Sequence, residues 1–263
     1  MANELRALIL GDVVGSPGSR ALFFGLKKII KEERADLVIV NGENAADGFG
    51  MMPDDVERLF TAGADVITSG NHIWQKKDIL PVLEAKEFLL RPANYPPGVP
   101  GHGHCIIEKN GIRTAVVNML GRSRMGFNGQ CPFQTMKKLV RELNGQADYI
   151  ILDFHAEDPQ EKEALAIHMD GQISLLFGTH THVQTADERI FPHGTGYISD
   201  IGMVGPSGSV IGADPEQSIK RSLTQLPIKM EVIDNPAQIC GIVVDFADGK
   251  AQSIRRFKQM ASA

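Results

Sequence analysis

The first 75 residues repeat strand then helix three times over, and this alternation confines the chain to an α/β fold with parallel βαβ units. "RALILGD" is a short apolar run that stops at a Gly-Asp turn, as a buried parallel strand does. Ser16-Pro17 then supplies an N-cap and a proline at the first helical position, and Leu22, Phe23, Leu26, Ile29 and Ile30 follow at helical spacing. "DLVIVNGEN" reads as the second strand. A helix from about Pro53 ends at a Gly63 C-cap, before the third strand, "DVITSGNH".

The pattern then changes. "HCIIEKNGIRTAVVNML" holds two strand-like runs around Asn110-Gly111, a strong hairpin signal. A helix from about Pro132 to Leu143 leads to the buried strand "ADYIILDFHAE", the helix "PQEKEALAIHMDG" and the strand "QISLLFGTHTH". After "GYISDIG" and a Gly/Pro/Ser-rich loop, a helix is expected near Pro215–Thr224. The last segment reads as antiparallel strands with an Asp248-Gly249 turn. No repeat, low-complexity tract or linker interrupts this order. With 263 residues, 43% of them hydrophobic, the chain can fill a core without disulfides. The expectation is one α/β domain, residues 1–263, with a mixed sheet or two sheets.

The net charge of −5 lacks the basic excess of proteins that grip long nucleic acid, so a small anionic substrate held by local charges is expected. Cys105, Cys131 and Cys240 are scattered and form no CxxC pair, which suits reduced thiols in a cytoplasmic protein. No run of about 18 apolar residues predicts a transmembrane helix. "MANELRALILGD" reads as a first strand, not a signal peptide.

Five expected strands end alike, with a residue able to bind metal directly after the apolar run. These are Asp12 after "ALIL", Glu43 and Asn44 after "LVIVNG", Asn71 and His72 after "VITSG", His155 after "YIILDF", and His180 and His182 after "SLLFGT". Open α/β sheets place their sites at the carboxyl ends of strands. Carboxylate, amide oxygen and imidazole together suit hard or borderline cations, and one carboxylate can bridge two of them. Taken singly, each residue has a structural explanation. Asp12 can cap a loop, Glu43-Asn44 can be an exposed turn, Asn71 can bond a loop backbone, and His155 can be a satisfied core histidine. His180 and His182 stand at i and i+2, so on a strand they point the same way. The inference rests on the joint pattern.

His102 and His104 repeat the His-x-His spacing in a Pro/Gly-rich loop before a strand, without ligand-rich company. His168 on a helix and His193 in a loop read as structural or solvated. "GDVVGSPG" looks like a phosphate-cradling loop but lacks the lysine and the GxGxxG spacing.

The ordered set GD, GEN, GNH, H and GTHTH resembles the signature of the calcineurin-like metallophosphoesterases. It is most similar to their YmdB-like bacterial phosphodiesterase branch. "GDVVG", "NGENAADGFG", "DVITSGNHIW", "RPANYP", "DFHAE", "GTHTHVQTAD" and "GTGYISDIGM" carry the likeness over essentially the whole chain. Val13-Val14 replaces the histidine of the wider family's DxH motif, and Glu43-Asn44 stands where that family has aspartate. Both departures are features of the branch.

The resemblance implies a sandwich of two mixed β-sheets flanked by α-helices. It implies two metal ions, iron with manganese or magnesium as substitutes. Asp12, Glu43, Asn44 and His182 would hold one, and Glu43, Asn71, His155 and His180 the other. The implied reaction is hydrolysis of 2′,3′-cyclic nucleotides to nucleoside monophosphates by a metal-bridging hydroxide, with His72 as acid to the leaving oxygen. Arg122 and Arg124 can hold phosphate or base, or be surface charges. A phosphomonoesterase, a small-RNA nuclease and a regulatory metal-binding protein remain alternatives. A cytoplasmic homo-oligomer, free of membrane and of stable long nucleic acid, is expected.

Overall fold

A computed structural model describes residues 4–261. The first three residues of the expected opening strand segment, and the last two of the expected domain, lie outside the described residues. The N-terminal half runs β1 (Leu5–Leu10), β2 (Asp12–Val13), α1 (Gly15–Glu33), β3 (Leu37–Asn41), α2 (Pro53–Ala62), β4 (Val66–Thr68), α3 (Leu80–Ala85), β5 (His104–Lys109) and β6 (Ile112–Leu120). Next come α4 (Pro132–Leu143), β7 (Tyr149–His155), α5 (Pro159–His168) and β8 (Leu175–Thr179). The chain closes with β9 (Arg189–Ile190), β10 (Gly196–Ile198), β11 (Met203–Pro206), α6 (Pro215–Thr224), β12 (Ala237–Ala247) and β13 (Lys250–Met260).

The strands form two mixed sheets. One has the order β2-β11-β12-β1-β3-β4, with β13 paired to β12, and the other β5-β6-β7-β8-β10-β9. The alternation of side chains along β1 explains the layering. Leu5, Ala7 and Ile9 pack inward against the second sheet's Val116, Ile151, Leu175 and Phe177. Leu8 and Leu10 point outward, under Leu22, Leu26 and Ile29 of α1. The second sheet repeats the device, with Val117, Leu152 and Phe154 under Met136 and Leu139 of α4 and Leu165 of α5. Replacing a fully buried residue such as Leu26 by alanine removes packing worth roughly 2–5 kcal/mol.

β1, β3 and β4 run parallel, as do β6, β7, β8 and β10. The carboxyl ends of the two sets meet, since Asn41 at the end of β3 donates its amide to Asp153 of β7 at 2.9 Å. The hairpin turns fall as expected, with Asn110 and Gly111, and Asp248 and Gly249, all at positive φ.

Local expectations fail in two places. α1 begins at Gly15 with Val14 in the N-cap position, and the Ser16 hydroxyl caps nothing but accepts from Arg20 at 2.9 Å. Asp12 and Val13 form β2, which pairs with β11, and this suits a segment that lacks the phosphate-loop lysine and glycine spacing. The third strand is followed not by a long helix but by a turn, a single 3-10 turn at Lys77–Ile79 and the six-residue α3.

Candidate metal centre

The strand ends deliver their polar residues to one rim. Asp12 lies in β2, Glu43 and Asn44 just past β3, Asn71 and His72 past β4, His155 at the last position of β7, and His180 and His182 past β8. Asp12, Glu43, Asn44 and His155 are buried. Gly70 makes the approach possible: a Cβ there would stand 1.7 Å from Glu43 Oε2 and 2.4 Å from His155 Nε2.

Four donors converge most tightly. His155 Nε2 lies 3.0 Å from Asn71 Oδ1, 3.1 Å from His180 Nδ1 and 3.2 Å from Glu43 Oε1. The Glu43, His155 and His180 donor atoms all fall within 4.8 Å of one another. Ligands about 2.1 Å from one octahedral ion stand about 3 Å apart, so this spacing is that of a single coordination shell. Glu43 Oε2 and Asp12 Oδ1 are buried and meet no hydrogen-bond donor of the protein, and Glu43 Oε1 has only the ring nitrogens of His72 and His155 beside it. Buried carboxylate lone pairs without a donor are costly unless a cation meets them.

The outer ring nitrogens explain which inner ones carry lone pairs. His155 Nδ1 is 2.9 Å from the Thr179 hydroxyl, which itself donates to Asp153 Oδ1 at 2.7 Å. His180 Nε2 is 3.2 Å from Glu157 Oε2, and His182 Nδ1 is 2.8 Å from the carbonyl of Ile211. Each imidazole can place its N–H on an acceptor behind it and turn its bare nitrogen inward. This is how metal-ligating histidines are commonly oriented.

The charges agree with this geometry. Burial pushes the Glu43 carboxyl up, but the imidazoles of His155 and His72 outweigh it and hold the group well below the carboxylate range. Burial works against a charged His155, yet Glu43, Asp12 and Asp153 raise it to about 9. His180 is lowered to about 3 by burial and by the facing His155. Burial raises Asp12, against the pull of His182 and His155. Burial likewise raises Asp153 to about 6, although His155, Thr68, Thr179 and Asn41 all favour its charged form.

The second expected set is looser. Asn44 Nδ2 stands 3.1 Å from His182 Nε2, and Asp12 Oδ1 reaches only to 3.8 Å from His155 Nδ1. His180 and His182 are not on a strand, which corrects the i, i+2 reading. β8 stops at Thr179, and the two residues take positive φ of 102° and 65°. Such backbone costs of order 1–3 kcal/mol per residue and persists where the surroundings impose it. Here the fully buried Lys162 ammonium donates to the Thr179 carbonyl at 3.0 Å and to Asp200 Oδ2 at 3.1 Å. The same Asp200 oxygen accepts the Thr181 N–H at 3.0 Å, and Asp12 Oδ2 accepts that of His180 at 3.1 Å. His72 hangs over this rim with Nδ1 2.9 Å from both Glu43 Oε1 and Asn44 Oδ1, leaving Nε2 to the cleft that His72 lines.

Donor types, spacing, charge and orientation therefore fit a metal ion at Glu43, Asn71, His155 and His180, with Asp12, Asn44 and His182 beside it. Other histidines and the two arginines fall elsewhere. His102 and His104 line a separate hollow beside Cys105. His193 pairs with Asp170 at 2.9 Å, and His168 packs near Phe133. Arg122 anchors its loop through its backbone N–H on Glu161, and exposed Arg124 stands 4.0 Å from Asp158. The arginine in the cleft is instead Arg221.

Sequence reasoning missed the supporting residues Glu157, Thr179, Asp153 and Lys162. Two signals were there: Glu157 follows His155 by two positions, and Lys162 shares a helix stripe with buried Leu165 and Ala166.

Comparison with known proteins shows what the chain is similar to. A family model described as "YmdB-like protein" matches residues 8–257. The chain is 41% identical over 251 residues to the 2′,3′-cyclic-nucleotide 2′-phosphodiesterase of Bacillus subtilis (strain 168), covering 95% of each. It is 40% identical over 248 residues to a putative phosphatase/phosphodiesterase of Mycoplasma pneumoniae, covering 92% of this chain and 88% of that one. A solved structure described as a novel phosphatase from Mycoplasma pneumoniae superposes with a TM-score of 0.92 at 38% identity, covering 99% of this chain and 95% of that one.

Proposed function

The chain belongs to the YmdB-like protein family, and from that premise we propose that it hydrolyses 2′,3′-cyclic nucleotides to nucleoside monophosphates at a dinuclear metal centre. Phosphoric ester hydrolysis is the activity its relatives are named for. The observation that carries the reading is the cluster of Glu43, Asn71 and His180 donors, each about 3 Å from His155 Nε2.

In this reading Glu43 would be shared by two ions. Asp12, Asn44 and His182 would complete one set, and Asn71, His155 and His180 the other. Bound ions supply Lewis-acid activation of water and neutralise phosphoryl charge. The remaining work falls to the chain. Glu157, the Thr179–Asp153 relay and the Ile211 carbonyl keep the three imidazoles aimed inward. Buried Lys162 and Asp200 hold the turn that carries His180 and His182. His72 gives its Nε2 proton to the ribose oxygen that leaves phosphorus, a role typically contributing ~10²–10⁴ in rate. Iron, replaceable by manganese or magnesium, is the proposed metal. The proposed setting is the cytoplasm, as one domain in a homo-oligomer, without stable binding of long nucleic acid. Among the described residues no helix is long and apolar enough to cross a membrane.

The test is one preparation assayed on 2′,3′-cyclic nucleotides, phosphomonoesters and short RNA. Turnover of the cyclic nucleotides is the expected result. Turnover of monoesters or RNA alone overturns the substrate assignment. The name of the Mycoplasma relative makes a phosphatase the second reading.

A further inference from the structure

The rim opens into a cleft of about 620 Å³ that His72, His180 and His182 share with a wall from α6. Its volume lies within the roughly 300–1,000 Å³ of small-molecule sites and does not by itself limit the ligand to one nucleotide.

Two features of the walls are not used by the phosphate chemistry. Phe49, 47% exposed, presents its ring to the cleft, held edge-on to His72 with centroids 5.1 Å apart. The other is α6, whose polarity is reversed. None of its residues is buried. Ser218, Arg221 and Ser222 line the cleft at i, i+3 and i+4, with Gln225 just past the helix end, while Ile219 and Leu223 on the same turns are 57% and 80% exposed. A helix normally turns its apolar stripe to the protein. This one turns hydroxyls and a guanidinium to an open cavity instead. Among the described residues Arg221 has no acidic side chain within salt-bridge distance. The two carboxylates that share the cleft have other partners: Glu157 stands at His180, and Glu231 accepts from Gln217 at 3.4 Å.

We propose that the cleft is built for the 3′ end of an oligonucleotide rather than for a lone cyclic nucleotide, with the terminal base against Phe49 and the preceding phosphodiester on Arg221. The inference rests on the cyclic-phosphate reading above and narrows its substrate class. A cyclic mononucleotide has one phosphate, which the metal centre occupies, and leaves the guanidinium without an anion. A dinucleotide ending in a 2′,3′-cyclic phosphate brings a second anion that a guanidinium suits. Base stacking on an aromatic ring is worth about 1–3 kcal/mol and tolerates any base.

The test is equilibrium binding, which does not depend on turnover. The probes are adenosine 3′-monophosphate and the dinucleotide ApAp carrying a 3′-terminal phosphate, each titrated into the metal-loaded protein. Wild type should bind the dinucleotide at least ~10-fold more tightly, as expected for an added charge-assisted contact. Arg221→Met should erase that advantage and leave the mononucleotide affinity within about twofold, while Arg221→Lys keeps part of the advantage. Phe49→Leu should weaken both probes alike, by roughly 5-fold or more. Equal affinities in wild type, or equal losses in Arg221→Met, overturn the proposal. Turnover of 2′,3′-cyclic AMP by the same samples separates the two claims. Turnover without the dinucleotide advantage refutes the subsite alone, and the advantage without turnover refutes the reaction alone.

Discussion

His155 Nε2 and His180 Nδ1 face each other at 3.1 Å, two ring nitrogens whose outer partners, Thr179 and Glu157, are placed to take the N–H of each ring. Two lone pairs at that distance repel unless a proton or a metal ion lies between them. Glu43, Asp12 and Asp153 favour a second proton on His155 up to about 9, while burial and the facing His155 lower His180 to about 3.

That proton sets the pH dependence of metal binding. Metal binding must displace it from His155, and only one proton is involved, since His180 carries none at neutral pH. Affinity for the ion bound by His155 should therefore rise about tenfold per pH unit between roughly pH 7 and 9, then level off. Calorimetry in buffers of different ionisation enthalpy should show close to one proton released per such ion at pH 7.5. The metal-free fold responds in the opposite sense. A pKa raised from 6.5 to about 9 gives stability that is complete below the unfolded value and is lost as pH rises through about 9.

Glu43→Gln should abolish metal binding and hydrolysis together, because it removes the buried charge on which the donor set centres. Glu157→Gln is milder: it keeps a hydrogen-bonding oxygen at His180 but removes the charge, and should weaken metal affinity about 10–100-fold. Metal titration of both variants, followed by activity at saturating metal, distinguishes a lost ligand from a lost orienting partner.

His72→Ala should retain the metals and lose about 10²–10⁴ in kcat. The ring reaches Glu43 and Asn44 only through Nδ1, so a parallel loss of metal would make it a ligand instead.

Lys162→Met should destabilise the protein by roughly 3–5 kcal/mol, since it leaves Asp200 buried without its cation. The double variant with Asp200→Asn should lose less than the sum of the two single changes. Denaturant unfolding of metal-free samples measures both.

Most of the architecture was legible because its signals are local. Asn110-Gly111 and Asp248-Gly249 dictate their hairpins, Gly63 ends α2, and Pro132 opens α4. The rim was legible because each ligand-type residue directly follows a buried apolar run. What could not be read depends on distant partners. β2 exists because Met203 and Val204 pair with Asp12 and Val13 from far along the chain. His180 and His182 leave strand geometry because buried Lys162 and Asp200 hold the turn, and no periodicity encodes a positive φ at two histidines. Arg221 has no motif around it. Its place in the cleft follows from how α6 lies against the rim.

Ester hydrolysis and the binding of two metal ions should be one property of the site. The most direct measurement adds metal stepwise to chelator-treated protein while following 2′,3′-cyclic AMP hydrolysis and elemental content on the same samples. Activity should appear in proportion to occupancy and reach its maximum at two ions per chain, with none in Glu43→Gln. Full hydrolysis by metal-free protein, or a centre filled with two ions that leaves 2′,3′-cyclic AMP intact, would contradict it.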